Sequence, residues 1–191
     1  MTQDVPGVGE PDGFERLWTP HRLAYVTGGA KPAPGVCPFC VTRDTPDDAA
    51  DGTPDSLVVR RGRGAYVVLN LYPYNPGHLL VCPDRHVADL TDLTPAETAE
   101  IAALSQEAMR VLRATSGAAG FNLGLNQGEV AGAGIAAHLH VHVVPRYPGD
   151  ANFLPIVART KALPDLLGHT RDVLRAAWDT HAAPAAEAGE A

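Results

Sequence analysis

Three histidines in strict alternation, His138-Leu139-His140-Val141-His142, lead into Val143-Val144-Pro145-Arg146 and offer this chain its clearest set of reactive side chains. Successive residues of an extended strand point to opposite faces. The three imidazoles therefore emerge together while Leu139, Val141 and Val143 pack inward. Same-face neighbours stand roughly 7 Å apart, which suits a metal cluster or a nucleophile flanked by supporting groups. A row of histidines on a merely solvated sheet face is the bland alternative. Just upstream, GEVAGAGIAA is a glycine-rich loop, whose small residues let backbone N–H groups approach phosphate oxygens. A second cluster, Cys37-Pro38-Phe39-Cys40, has the spacing of a metal-ligand or redox pair. Zinc needs four ligands, so two partners must come from elsewhere. Cys82 lies in the apolar run LLVC and reads as a small buried hydrophobe. His21, His169 and His181 read as surface residues.

The elements that must position these groups are legible from punctuation. The runs LVV, AYVVLNLY and HLLVCP are separated by RRGRG and PYNPG, which predicts an antiparallel meander. Thr94-Pro95-Ala96-Glu97 offers an N-cap, a proline at the first helical position and a capping-box glutamate. A helix should follow, burying Ile101, Leu104, Ala108, Val111 and Leu112 and stopping at Ser116-Gly117. Phe121 to Leu125 reads as a strand, and His138 to Val144 as another that Pro145 ends. A last helix is expected from Pro164 to about Thr180, with Leu166, Leu167, Val173, Leu174 and Trp178 buried. Strands, helix, strands is an α+β order.

The chain has 191 residues, a net charge of −7 and 45% hydrophobic residues, enough for one domain with a sizeable core. The acidic balance argues against nucleic-acid partners, whose phosphates demand surplus Lys and Arg. No stretch approaches the roughly 20 apolar residues of a membrane span, and the N-terminus carries no signal-peptide pattern. With an odd cysteine count, this points to the cytoplasm. Pro and Gly crowd the start, and RDTPDDAADGTPDS is acidic and solvated. Residues 1–56 thus read as an N-terminal extension with the CxxC segment and a flexible acidic loop. Residues 57–148 hold the expected strands, the main helix and the histidine row and read as the core, 149–182 as a C-terminal extension with a helix, and 183–191 as a disordered tail.

The pattern from His138 to Val144 resembles the signature of the histidine triad (HIT) superfamily, His-φ-His-φ-His-φ-φ with φ apolar. NPGHLLVCPDRH and FNLGLNQGEVAG extend the resemblance over about residues 57–148. It implies an antiparallel sheet of about five strands with one main helix packed on it and an additional C-terminal helix. The activity implied is nucleotidyl transfer: a central histidine attacks an α-phosphate and passes the nucleotidyl group to an acceptor. On this chain His140 is the implied nucleophile, within a catalytic set that includes His138 and His142. His142 and His78 match positions that support the phosphate and the central ring, and Asn126 matches an amide on the phosphates. Asn70 and Asn75 are weaker candidates, Asn75 being equally suited to capping a turn.

Many relatives carry Gly-Gln-Ser/Thr before the triad, whereas this loop lacks the hydroxyl. Backbone N–H groups of Gly132 to Ile135, Gly134 among them, are expected to carry more of the charge stabilisation. Arg146 is the nearest cationic candidate, and Arg60, Arg61 and Arg63 read as a solvated turn. Asp150, Asn152 and Phe153 are expected near the site mouth, with a base stacking on Phe153. Several branches of the superfamily join a Cys-x-x-Cys to two histidines, which here implies structural zinc on Cys37, Cys40, His86 and His138, and no organic cofactor.

RYPGDANFLPIVARTKALPDLL and LWTPHRLAYV are further similar to actinobacterial diadenosine tetraphosphate phosphorylases. That resemblance implies adenosine polyphosphate substrates, inorganic phosphate as the acceptor, and ADP and ATP as products, while the wider superfamily resemblance implies a homodimer. Hydrolysis of dinucleoside polyphosphates or adenosine phosphoramidates is the alternative within catalysis, and a zinc-stabilised nucleotide-binding scaffold the alternative outside it.

Overall fold

A computed structural model describes residues 35–47, 56–150 and 165–184, all within the compact unit Pro32–Ala191. His21, Asn152, Phe153, Pro164 and the tail 185–191 lie outside the described residues. The elements are α1 (Pro38–Asp44), β1 (Val58–Arg61), β2 (Ala65–Leu69), β3 (Leu79–Pro83), α2 (Pro95–Ser116), β4 (Gly120–Gly124), β5 (Val141–Arg146) and α3 (Leu167–His181). The strands form one antiparallel sheet in the order β1-β2-β3-β5-β4. This is the expected α+β architecture. No described helix is long and apolar enough to cross a membrane.

Both faces of the sheet are covered, which is why every residue of β2 and β3 is buried. On one face Ala65, Val67, Leu69, Leu79, Val81, Val141 and Val143 meet Ile101, Leu104, Ala108, Val111 and Leu112 of α2 and Leu174 and Trp178 of α3. On the other, Val58, Tyr66, Val68, Leu80 and Cys82 meet Phe39 of α1, with Ile135 of the glycine-rich loop packed alongside. The strand period of two sorts the same segments between these layers. The triad belongs to the second face, because His142 pairs with Leu80.

Local chemistry sets the connections. Thr94 and Glu97 form the capping box, and Gly117 closes α2 in the left-handed conformation at φ 67°. Asn75-Pro76-Gly77-His78 forms a turn in which the His78 N–H donates to the Asn75 carbonyl at 3.1 Å. Pro at its second position and Gly at its third, with φ 79°, are the residues a type II turn demands. This turn delivers His78 to the start of β3.

Four expectations need correction. β5 begins at Val141, so His138 and His140 precede the ladder, although Leu139 and Val141 keep the inward alternation. Pro145 does not end the strand: it pairs with Phe121 of β4, while its carbonyl faces the side that β3 has already left. A missing N–H costs nothing there. In α3 the buried stripe is Leu174 and Trp178, with Leu166 and Val173 exposed, because a residue one position off the stripe is turned by about 100°. Finally, Arg61 of the hairpin is anchored and is no part of a solvated turn, whereas Arg63 is exposed as expected. Arg60 pairs with Asp179, and Arg61 donates to the carbonyls of Arg43 and Thr45 and pairs with Asp47, strapping the α1 segment to the sheet. Arg63 donates its N–H to Glu100.

Candidate active site and metal centre

His138 is fully buried and divides its ring between two tasks. Its Nε2 lies 2.9 Å from the Pro83 carbonyl. A carbonyl can only accept, so Nε2 carries the proton and the Nδ1 lone pair is left for the opposite side. That side holds Cys37 Sγ at 3.4 Å and Cys40 Sγ at 3.6 Å, with His86 Nδ1 3.3 Å from Cys40 Sγ. The four ligand atoms lie within 4.8 Å of one another. Tetrahedral zinc, with Zn–S about 2.3 Å and Zn–N about 2.0 Å, sets neighbouring donors about 3.5 Å apart. The donor set and its spacing therefore fit a divalent metal, and the tautomer of His138 is the one a metal ligand requires. Burial and the neighbouring Cys37 push the Cys40 thiol up, a cost that a cation would remove.

The same residue orients the next. His140 Nδ1 lies 2.8 Å from the His138 carbonyl and donates to it, which leaves Nε2 unprotonated. The ring is buried under Phe39, at 4.8 Å between centroids. Burial holds the His140 pKa below the ordinary imidazole value, against the opposing pull of that hydrogen bond. A buried neutral imidazole with a fixed tautomer and an available lone pair is a prepared nucleophile.

His142 follows at 5.1 Å from His140, ring to ring. Its Nδ1 is 2.9 Å from His78 Nε2. His78 Nδ1 accepts from the Tyr74 N–H at 3.1 Å and from Asn70 Nδ2 at 3.2 Å, so the His78 proton is on Nε2 and is donated to His142. With His142 neutral, its own proton is on Nε2 and can be offered to an anion. Tyr74 stacks on His142, the planes 6° apart. Asn70 is engaged here and also accepts from the Tyr72 N–H, so its amide serves His78.

Burial, reinforced by His142 and His140, pushes the His78 pKa down to about 3. The unfolded chain takes up this proton near pH 6.5 and the folded chain refuses it, so the contribution is complete above pH 6.5 and is lost as the pH falls below it. Urea unfolding at pH 7 and pH 5 is expected to show His78 contributing up to about 1.4 kcal/mol of lost stability per pH unit. His78→Gln should flatten the profile over that interval; an unchanged slope would contradict the assignment.

An open cleft of about 400 Å³ runs from His142 past Tyr74, Leu125 and Asn126 to Arg146. Arg146 is held by both oxygens of Asp150 and donates to Asn122 Oδ1 at 3.0 Å. Asn75 is buried and donates to the Pro145 carbonyl and to Asp150, both at 2.9 Å. It anchors the Arg146 clamp. In the glycine-rich loop the Gly132 N–H donates to the Glu129 carbonyl at 2.9 Å and the Ala133 N–H to that of Gly128 at 3.3 Å. The run of amides expected to face a phosphate is thus shortened, and Gly134 and Ile135 follow this turn. His169 and His181 are exposed, as read.

Sequence reasoning missed the Pro83 carbonyl, Tyr74 and Phe39, and it placed Asp150 near the site mouth without its tie to Arg146. Only Phe39 left a signal, as an apolar residue between the two cysteines.

A family model described as the HIT domain matches residues 52–149. The chain is 47% identical over 182 residues to "AP-4-A phosphorylase" of Mycobacterium tuberculosis, covering 90% of this chain and 88% of that one. It is 36% identical over 95 residues to "Bis(5'-nucleosyl)-tetraphosphatase [asymmetrical]" of Schizosaccharomyces pombe, covering 50% of this chain and 52% of that one. Among solved structures, a Zn-bound histidine triad family protein from Mycobacterium smegmatis superposes with a TM-score of 0.59 at 31% identity, over 75% of this chain and 94% of that one.

Proposed function

Because this chain belongs to the HIT domain family, we propose that it is an enzyme of nucleotidyl transfer that phosphorolyses diadenosine tetraphosphate to ADP and ATP. One observation carries the chemistry: the His140 Nδ1–H is committed to the His138 carbonyl, which leaves Nε2 as a buried lone pair. The acceptor and substrate are supported by the 47% identity to a protein of that printed activity across most of both chains.

In this reading His140 Nε2 attacks an α-phosphorus. A P–N bond forms, the P–O bond to the leaving ATP breaks, and the His142 Nε2 proton stabilises the departing oxygen. Inorganic phosphate then attacks the same phosphorus, the P–N bond breaks and ADP leaves. Splitting one displacement into two lowers each barrier. The His78–His142 hydrogen bond orients the second ring, Asn126 and the amides of Gly134 and Ile135 hold nonbridging oxygens, and Arg146 supplies positive charge at the far end of the cleft. Fixed donors of this kind cost no reorganisation during the reaction.

Zinc on Cys37, Cys40, His86 and His138, where bound, supplies four bonds that pin α1 and the His86 loop to the triad. Its part is structural. The reading also takes the protein as a cytoplasmic homodimer. The dimer is supported by β4, which ends the described sheet with Asn122, Leu123 and Gly124 exposed beside the cleft.

Incubation with diadenosine tetraphosphate, with and without inorganic phosphate, tests the acceptor. ADP and ATP formed only with phosphate are expected. AMP and ATP formed without it would make water the acceptor, and no turnover in either condition would overturn the substrate assignment.

A further inference from the structure

The residue between the two cysteines sits at an unusual junction. Phe39 is buried, its ring lies 4.8 Å from that of His140 and 5.5 Å, nearly edge-on, from that of His138. Its carbonyl accepts from the Tyr66 hydroxyl at 2.7 Å. The backbone on either side of it is tied by Cys37 and Cys40 to the cluster containing His138 Nδ1. His138 in turn presents the carbonyl that holds His140 Nδ1–H. Two routes therefore run from the metal-ligand turn to the His140 ring, one through the His138 main chain and one through the Phe39 side chain.

We propose that Phe39 is a positioning residue for His140: clamped by the flanking metal ligands, its ring packs against the imidazole and holds Nε2 on the line of attack. The His138 carbonyl alone fixes one atom of the imidazole and leaves the ring free to rock about that hydrogen bond. The aromatic ring packed against it, its plane tilted 41° from that of the imidazole, limits this rocking. The physical basis is ordinary aromatic packing. Its leverage comes from where it acts, because small misplacements of a reacting atom cost large factors in rate. The inference rests on the nucleophilic role proposed above for His140.

The test uses the zinc-loaded full chain with Phe39→Leu, which keeps apolar bulk and removes the ring, and Phe39→Tyr, which restores it. Phe39→Leu is expected to retain one zinc per chain and an unchanged KM, while kcat falls by about 10- to 100-fold. Phe39→Tyr should recover most of that loss. Independently of activity, the His140 Nδ1–H resonance should exchange faster with solvent in Phe39→Leu than in the parent protein.

Wild-type kcat and an unchanged His140 resonance in metal-loaded Phe39→Leu would overturn the inference. Should that variant lose zinc, Phe39→Met is to be read by the same three measurements, and a kcat that simply follows zinc occupancy would overturn it equally. Failure of the underlying reading looks different: His140→Ala would then remain active whatever Phe39 does.

Discussion

His140→Ala is expected to lower turnover of diadenosine tetraphosphate on the order of 10^4-fold while the protein stays folded. The size follows from the role. Without an imidazole at this position no covalent intermediate forms, and only the binding and charge stabilisation of the rest of the site remain. The fold should survive because the substitution removes one buried ring from the sheet face that α1 covers and leaves the His138 carbonyl without its donor, a cost of about 1–3 kcal/mol. Nucleotide affinity should change little, since the groups proposed to hold the nucleotide along the cleft from His142 to Arg146 are left in place. Single-turnover rates and equilibrium binding on the same preparation check both halves. A variant with more than about a tenth of the parental rate would remove His140 from the mechanism.

The second large effect concerns the metal centre. Cys40→Ser, or treatment with a strong chelator, is expected to lower the melting temperature by about 10 °C or more. For a domain of this size about 1 kcal/mol corresponds to 2–4 °C, and structural zinc contributes folding free energy of several kcal/mol. The geometry makes the centre a tie between distant segments: Cys37 at the N-cap of α1 and Cys40 within it, His86 after β3 and His138 before β5. Cys82 is the internal control. It is buried in β3 with its thiol pushed up by desolvation, and Cys82→Ala should leave the zinc content at one per chain. Thermal unfolding with parallel metal analysis reads both. A Cys40→Ser protein that melts with the parent would mean that the tie carries no stability.

Much of the site was legible because its chemistry is written in short spacings. The alternation of His138, His140 and His142 requires one face of an extended segment, and Thr94 with Glu97 requires a helix start. Other features were not legible because they depend on main-chain groups. The Pro83 and His138 carbonyls set the tautomers of His138 and His140, yet every residue has a carbonyl and no pattern marks these two. Asn75 looked like a turn residue, and it is one, but its side chain also fixes Pro145 and Asp150 across the sheet. Arg61 looked solvated because its acceptors, Arg43, Thr45 and Asp47, come from the distant end of α1 and the residues just after it. Pro145 looked like a strand terminator because the early end of its β3 neighbour is a property of the sheet and of no local run.

The most direct measurement is the mass of the protein quenched after mixing with diadenosine tetraphosphate while phosphate is withheld, followed by mapping of the modified peptide. One adenylyl group per chain, carried on the His140 peptide and discharged as ADP when phosphate is restored, is the predicted result. Turnover that proceeds with no adduct, or an adduct on a peptide lacking His140, would contradict the account.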